Sequence, residues 1–260
     1  MRIPSNKLIS LHTDKWIDYS MTTKTKIILY TSLLFNLSAL IYFAPKIYRK
    51  LNDRSNTASD NQSTYSMKRD KYYEVLSPDS NAIVFLGTSL TQNFEIHEAF
   101  KNEHTQNRGI NGDWTRGMRN RLNPIIQEQP KKIFIETGIN DIGDRNLSKE
   151  AILSEFRLLI NDIQENSEET QIYVNSILPV SNKNQGMVGY SGTKINETIV
   201  ELNSQIQNLS EQLGFTFIDT HSFFAQNGEI RPQFTIDGVH LSGEGYIRWA
   251  EILTPYVNEF

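Results

Sequence analysis

The sequence contains no cysteine in its 260 residues. Disulfide bonds, thiolate zinc sites and cysteine nucleophiles are therefore all excluded. The chain also lacks an excess of positive charge, because 26 Lys and Arg face 30 Asp and Glu, for a formal net charge of -4. Without a basic field or a cluster of basic residues in the folded part, the chain offers no site for a phosphate backbone. Nucleic acid is therefore not an expected partner.

A long apolar stretch occupies residues 27–44, which read IILYTSLLFNLSALIYFA and carry basic residues on both flanks. Its length is near the lower limit for crossing a bilayer, and we predict an uncleaved transmembrane helix. A buried core helix is the first alternative, but such a helix rarely lacks a charged face over this length. A signal peptide starting at Met21 is the second, but IYFAPK is a poor small-residue cleavage site.

The predicted anchor divides the chain into four parts. Residues 1–26 form an N-terminal tail, residues 27–44 the anchor, residues 45–66 a polar flexible linker, and residues 67–260 a folded domain. The basic residues of the tail favour a cytoplasmic N-terminus. We therefore expect a single-pass membrane protein whose folded domain is extracytoplasmic.

The folded domain alternates short apolar segments with amphipathic ones. Residues 81–87, 131–138, 171–180 and 214–220 are typical of buried strands. Residues 147–166, with Ser148 as N-cap, and residues 194–214, closed by Gly214, are typical of helices. This alternation predicts an α/β fold with a parallel sheet and helices on both faces. In such sheets ligands bind beyond the carboxyl ends of the strands, where the polar motifs of this sequence fall.

Ser89 follows the first predicted strand, in FLGTSLTQNF (residues 85–94). A serine hydroxyl becomes a nucleophile only when a base takes its proton, and the base must itself be oriented. Among the five histidines, His240 lies three residues after Asp237 in a glycine-containing turn, so the carboxylate can reach its Nδ1 atom. Such a pair alone is more often a surface turn, and His221 remains an alternative base.

Two further turns could supply hydrogen-bond donors to an oxyanion. Asn140 follows the strand segment IFIE, and Gly109 lies in QNRGINGDWT, where a glycine allows close approach of the backbone. Each turn taken singly is explained by ordinary loop composition, because Gly, Asn and Asp are common in turns.

Together, the motifs Gly-x-Ser-Leu-Thr, Asn-Arg-Gly, Gly-x-Asn-Asp and Asp-x-x-His resemble the SGNH hydrolase superfamily, also called GDSL esterases/lipases, over about residues 78–258. The longer segments around them are similar to the bacterial branch that resembles platelet-activating-factor acetylhydrolase catalytic subunits and carbohydrate O-acetylesterases. The resemblance implies a flavodoxin-like three-layer α/β/α sandwich. It implies Ser89 as nucleophile, His240 as base, Asp237 as its orienting acid, and oxyanion donors from Ser89, Gly109 and Asn140. No metal or organic cofactor is implied.

The chain departs from the family pattern at Thr88, where the family usually has aspartate. That change removes a negative charge beside Ser89 but none of the implied catalytic groups. We further expect Trp114 and Arg116 to line the substrate cleft and Asp141 to brace the loop beside Asn140.

The resulting expectation is a membrane-anchored esterase that removes small acyl groups, in particular acetyl, from a carbohydrate or cell-envelope substrate through an acyl-serine intermediate. An O-acetyltransferase acting on an envelope polysaccharide, and a binding module without turnover, are the alternatives that the sequence leaves open.

Overall fold

The computed structural model describes residues 24, 30–32, 68–73, 75–76, 78–182 and 193–259. The predicted linker 45–66 and most of the predicted tail and anchor lie outside these residues. Within the described residues, no helix has both the length and the apolar character needed to cross a membrane. All elements below belong to the unit Asn61–Phe260.

A five-stranded sheet forms the centre of this unit. Its strands are β1 (Ile83–Gly87), β2 (Thr105–Gly109), β3 (Lys132–Glu136), β4 (Gln171–Asn175) and β5 (Thr216–Ile218). They are all parallel and lie in the order β2-β1-β3-β4-β5. The predicted α/β fold with a parallel sheet is thereby confirmed. Each of the four predicted strands is present, but each is shorter than the predicted segment.

Strand β2 was not predicted, because its sequence TQNRG contains no large apolar residue. It lies at the edge of the sheet and pairs only with β1, so it needs fewer apolar side chains than the central strands. A short antiparallel pair, β6 (Ala225–Gln226) and β7 (Glu229–Ile230), lies outside the main sheet.

The helices connect the strands. They are α1 (Ser89–Gln92), α2 (Ile96–Phe100), α3 (Thr115–Asn120), α4 (Asn123–Ile126), α5 (Ile139–Ile142), α6 (Lys149–Asn166), α7 (Thr193–Leu213), α8 (His221–Phe224) and α9 (Gly243–Asn258), with a 3₁₀ turn at Pro232–Phe234. The predicted helices 147–166 and 194–214 correspond to α6 and α7. Ser148 caps α6 by accepting the Ala151 N–H.

Successive side chains of the central strands enter two separate cores, which makes the unit a three-layer sandwich. Leu86 and Ile135 pack with residues of α3, α4, α6 and α7 on one face. On the other face, Phe85, Phe134 and Tyr173 occupy neighbouring register positions and pack with α2, α8 and α9. Their rings stack at centroid distances of 4.8 and 4.6 Å.

The carboxyl ends of β1 and β3 form the topological switch point of the sheet. From β1 the chain continues to β2 on one side, and it then crosses to β3 on the other side. Open parallel sheets bind ligands at such a point. Here it brings the turns after β1, β2 and β3 to one edge of the sheet.

Candidate active site

A continuous line of polar atoms runs from Ser89 to Asp237. Ser89 is the first residue of α1 and lies two residues after the end of β1, so its side chain is held at the edge of the sheet. Its Oγ atom lies 3.1 Å from His240 Nε2, and His240 Nδ1 lies 2.6 Å from Asp237 Oδ2. Both distances allow hydrogen bonds, which is the geometry that a serine nucleophile with an oriented base requires.

The loop that carries Asp237 and His240 is closed by its own hydrogen bonds. Asp237 Oδ1 accepts the backbone N–H groups of Val239 at 2.9 Å and of His240 at 2.8 Å. Gly238 has a φ of 93°, a backbone conformation that favours glycine. The sequence Asp-Gly-Val-His therefore places the carboxylate against its own imidazole.

These contacts also determine the charge of Asp237. Burial alone would raise its pKa, but the hydrogen bonds from the His240 ring and from two backbone N–H groups outweigh that effect and leave the pKa below its ordinary value. Asp237 is therefore ionised at neutral pH. An ionised carboxylate can accept the Nδ1–H of His240, which leaves Nε2 to face Ser89.

Asn140 lies after β3, in helix α5. The preceding Gly138 has a φ of 116°, and a Cβ atom there would lie 2.5 Å from the Ile177 side chain. Glycine thus allows the chain to turn sharply against the core. The Asn140 Nδ2 atom donates a hydrogen bond to the carbonyl of Asp113 at 2.7 Å, which fixes the amide in the turn that follows β2.

Gly109 is placed differently from the sequence prediction. Its N–H donates to Asn107 Oδ1 at 2.8 Å, so this donor already has an acceptor. A Cβ atom on Gly109 would lie 2.1 Å from the backbone nitrogen of Gln92. Gly109 therefore allows β2 to pack against α1, and the structure does not support the predicted oxyanion role.

Asn107, which the sequence analysis did not select, braces the same helix. Its Nδ2 atom donates to the carbonyl groups of Thr91 at 2.7 Å and of Phe94 at 3.1 Å, at the carboxyl end of α1. The residue stands in the Asn-Arg-Gly motif, which thus holds the segment that carries Ser89.

Gly112, in the same turn, is a second residue that the sequence analysis missed. It has a φ of 75°, and no atom lies within 4 Å of the position that a Cβ would take. In the described part of the chain its N–H has no acceptor. Gly112 directly precedes Asp113, whose carbonyl is bound by Asn140. Its signal in the sequence was a second glycine three residues after Gly109.

Trp114 lies in the turn after β2, and Arg116 lies at the start of α3. The Arg116 guanidinium carbon lies 5.4 Å from the Trp114 ring centroid, and that of Arg145 lies 5.2 Å from it. Arg116 also binds the buried Glu155 carboxylate at 2.5 Å. Arg145 was not predicted, and its backbone N–H binds the Asn140 carbonyl at 3.0 Å.

Asp141 and His221 lie close to the sheet edge but are not part of the hydrogen-bonded line from Ser89 through His240 to Asp237. Asp141 is fully buried and accepts the Thr115 N–H at 3.2 Å, and burial raises its pKa to about 6. The backbone N–H of His221 binds Ser176 Oγ at 2.7 Å at the start of α8. Within the described residues, no group of three or more acidic or histidine side chains could hold a metal ion.

Comparisons with known proteins identify the family of the chain. The model of the GDSL-like lipase/acylhydrolase family matches residues 81–248, which include Ser89, Asn140, Asp237 and His240. Comparison with curated protein sequences gives no match.

Three solved structures share the fold. A candidate platelet activating factor from Streptococcus pneumonia is 25% identical, with a TM-score of 0.68, covering 78% of this chain and 97% of that one. A candidate acylhydrolase from Bacteroides fragilis is 21% identical, with a TM-score of 0.64 and coverages of 75% and 94%. A GDSL-like lipase from Bacteroides thetaiotaomicron is 21% identical, with a TM-score of 0.63 and coverages of 76% and 97%.

Proposed function

Because the chain belongs to the GDSL-like lipase/acylhydrolase family and is a hydrolase acting on ester bonds, we propose that it cleaves small acyl esters through an acyl-Ser89 intermediate. The observation that carries this proposal is the hydrogen-bonded line from Ser89 Oγ through His240 to Asp237. A serine hydroxyl at neutral pH needs this arrangement to become nucleophilic.

In the first half-reaction, Ser89 Oγ attacks the carbonyl carbon of the ester while His240 Nε2 takes the hydroxyl proton. The Asp237 carboxylate stabilises the imidazolium that forms. When the tetrahedral intermediate collapses, the bond to the alcohol oxygen breaks and His240 returns the proton to it. The alcohol leaves, and the acyl group remains on Ser89.

In the second half-reaction, His240 takes a proton from water, and the resulting hydroxide attacks the acyl-serine. Collapse of the second tetrahedral intermediate breaks the bond to Ser89 Oγ, which regains its proton from His240. The carboxylic acid leaves, and the enzyme is restored without any metal or organic cofactor.

The oxyanion of each intermediate needs donors that are already in place. We assign the Ser89 N–H at the first turn of α1, the Asn140 amide and, in place of Gly109, the Gly112 N–H. The Asn140–Asp113 hydrogen bond supports this assignment, because it holds the Asn140 amide beside the turn that contains Gly112. Mutation cannot remove a backbone N–H, but an amide-to-ester replacement at Gly112 by chemical ligation removes that donor alone.

For the substrate, we propose an acetyl ester of a carbohydrate or a related cell-envelope molecule. Trp114 supports this proposal, because it lies one residue after Asp113, is partly exposed and has the guanidinium groups of Arg116 and Arg145 over its ring. An aromatic side chain offers a large, flat apolar surface with a preferred contact geometry, which suits the binding of a sugar ring. Kinetics with a panel of acetylated sugars and short aryl esters would test this choice.

We also propose that residues 27–44 anchor the enzyme in a membrane, with the catalytic unit on the extracytoplasmic side. The support is the apolar sequence of that segment and its basic flanks. Membrane fractionation of the full chain, compared with a chain lacking residues 27–44, tests the anchor. Protease accessibility of the catalytic unit in intact cells tests the side.

The test of the proposed chemistry uses the full chain with an aryl acetate. The wild type should release acetate to water without a sugar acceptor, and a brief reaction should leave an acetyl group on Ser89 by mass spectrometry. Ser89→Ala should lose activity, whereas the exposed Ser154→Ala on α6 should keep it. Equal rates for Ser89→Ala and the wild type would refute the proposal, and acetyl loss only in the presence of a sugar would indicate a transferase.

A further inference from the structure

A buried carboxylate lies directly beneath the segment that carries Ser89. Glu136 is the last residue of β3 and is buried. Its Oε2 atom accepts the Thr88 N–H at 3.0 Å, the Thr88 hydroxyl at 2.9 Å and the Thr91 hydroxyl at 3.1 Å. In the part of the chain that the structure describes, this carboxyl group has no cationic partner. Its hydrogen bonds are thus concentrated on the two residues that flank Ser89 and Leu90.

The segment Gly87–Thr91 fits this carboxylate closely. Gly87 pairs with Glu136 in the register of β1 and β3. A Cβ atom on Gly87 would lie 1.9 Å from Thr91 Oγ1 and 3.0 Å from Glu136 Oε2. Only glycine at this position lets the Thr91 hydroxyl reach the carboxylate. Thr88, in turn, precedes α1 without capping it, because its hydroxyl is directed to Glu136.

The chemistry of the three donors favours a carboxylate at this place. A backbone N–H can only donate, and both threonine hydroxyls donate in the observed geometry, so all three are satisfied by an acceptor with several lone pairs. Burial raises the pKa of Glu136, and the Thr88 and Thr91 donors oppose that rise. The Thr88 backbone N–H can only donate, so the Glu136 oxygen that accepts it holds the backbone at position 88 in place.

We infer that Glu136 is the positioning residue of the nucleophile: through Thr88 and Thr91 it sets the orientation of the Ser89 Oγ and N–H groups. The carboxylate that position 88 lacks in this chain is supplied from the neighbouring strand, and threonine is the residue that links it to the serine. This inference rests on Ser89 being the nucleophile.

Two substitutions at position 88 separate positioning from packing. Thr88→Val keeps the shape but removes the hydroxyl, whereas Thr88→Ser keeps the hydroxyl. With an aryl acetate as substrate and the full chain as enzyme, Thr88→Val should lower kcat by about 10- to 100-fold, because small displacements of a catalytic group have effects of this size. KM should change little, and Thr88→Ser should retain most of kcat.

Glu136→Gln gives the second arm. It keeps the size of the side chain but replaces one of the two accepting oxygens with a donating NH2 group, which disturbs the contacts with Thr88 and Thr91, so kcat should fall by about tenfold. In the Glu136→Gln background, Thr88→Val should cost less than it does in the wild type, because both changes act on one contact. The rate at which a fluorophosphonate labels Ser89 should follow kcat across the series. If Glu136→Gln fails to fold, the Thr88 pair and Thr91→Val, which should behave like Thr88→Val, decide the question.

The control for a buried threonine is Thr170→Val. Thr170 is buried next to the amino end of β4, far along the strand from the catalytic edge, and its hydroxyl binds the Pro130 carbonyl. This variant should lose stability without a change in kcat.

The inference is overturned if folded Thr88→Val or Glu136→Gln turns over at the wild-type rate. It is also overturned if Thr88→Ser loses as much activity as Thr88→Val, or if the two substitutions are additive. Ser89→Ala separates a failure of the proposed nucleophile from a failure of the proposed role of Glu136. Full activity in that variant would show that Ser89 is not the nucleophile. An inactive Ser89→Ala beside wild-type kcat in Thr88→Val refutes only the role of Glu136.

Discussion

The two oxygens of Asp237 bind two different nitrogens of His240: Oδ2 lies 2.6 Å from the ring Nδ1, and Oδ1 accepts the backbone N–H at 2.8 Å. The carboxylate thus holds both the position of the residue and the tilt of its ring. Because the ring nitrogen must be a donor toward Asp237, the other ring nitrogen is the one available to take the Ser89 proton.

Asp237→Asn should therefore lower kcat/KM by about 10³- to 10⁴-fold, because an amide can donate to Nδ1 and impose the unproductive tautomer. The matched control is Asp79→Asn, an exposed aspartate whose Oδ1 also accepts a backbone N–H two residues on, from Asn81. Steady-state kinetics with an aryl acetate checks both variants. Similar activity in Asp237→Asn and Asp79→Asn would show that the carboxylate does not orient the base.

The choice between the two candidate histidines gives a second prediction. His240 Nε2 lies 3.1 Å from Ser89 Oγ, whereas His221 starts α8 and binds Ser176 through its backbone. His240→Ala should lower kcat by about 10³-fold or more, because the members of a triad act as a unit. His221→Ala should keep kcat close to the wild-type value. The opposite pattern would make His221 the base.

Those parts of the site that depend on short-range sequence could be predicted. Asp237 and His240 are three residues apart in one turn, and Ser89 and Asn140 directly follow apolar strands, so their meeting at one sheet edge follows from the parallel topology. The Asn-Arg-Gly motif could not be placed in the same way. The strand TQNRG lacks an apolar pattern, so it could not be recognised as a strand. The sequence also does not distinguish a glycine that is needed for packing from a glycine that offers its N–H as a donor.

The contact between Glu136 and Thr88 could not be predicted from the sequence either. In KKIFIETG it is an acidic residue at the end of an apolar strand, a position that also suits a solvent-exposed side chain. That it lies beneath Thr88, 48 positions earlier in the chain, depends on the pairing of β1 with β3. Long-range register of this kind is not contained in the local pattern.

Gly109, the last residue of β2, and Gly112, in the turn after β2, should differ in their effect on stability. Gly109→Ala places a Cβ atom 2.1 Å from the Gln92 backbone nitrogen, and we expect a loss of about 3 kcal/mol in the free energy of unfolding. Gly112→Ala meets no neighbouring atom, so it should cost only the strain of a positive φ, about 1 to 2 kcal/mol. Urea unfolding of both variants tests the order. A greater loss in Gly112→Ala would contradict the packing role of Gly109.

Lys132 gives a prediction for the opposite end of the sheet. Its buried Nζ donates to the carbonyl groups of Tyr256 and Glu259, each at 2.7 Å, at the carboxyl end of α9. Lys132→Met should reduce the free energy of unfolding by about 1 to 3 kcal/mol, because the helix end loses its charged donor. The exposed Lys194→Met on α7 is the control. Both variants should keep kcat, and an unchanged midpoint for Lys132→Met in urea would contradict the capping role.

Asp141 should give the folded unit a specific pH dependence. Burial raises its pKa from 3.8 to about 6, so the folded state holds a proton that the unfolded state releases between these values. Stability from this group is therefore fully present below about pH 4 and decreases as the pH rises to about 6. A difference of about two pKa units corresponds to about 3 kcal/mol.

Asp141→Asn keeps an acceptor for the Thr115 N–H but cannot ionise, so the wild type should lose about 3 kcal/mol relative to this variant between pH 4 and pH 6.5. Urea unfolding of both proteins at several pH values measures the difference between their free energies of unfolding. The contributions of the other titrating groups are the same in both proteins and cancel in this difference. A constant difference across this range would mean that Asp141 ionises in the folded protein as readily as in the unfolded chain.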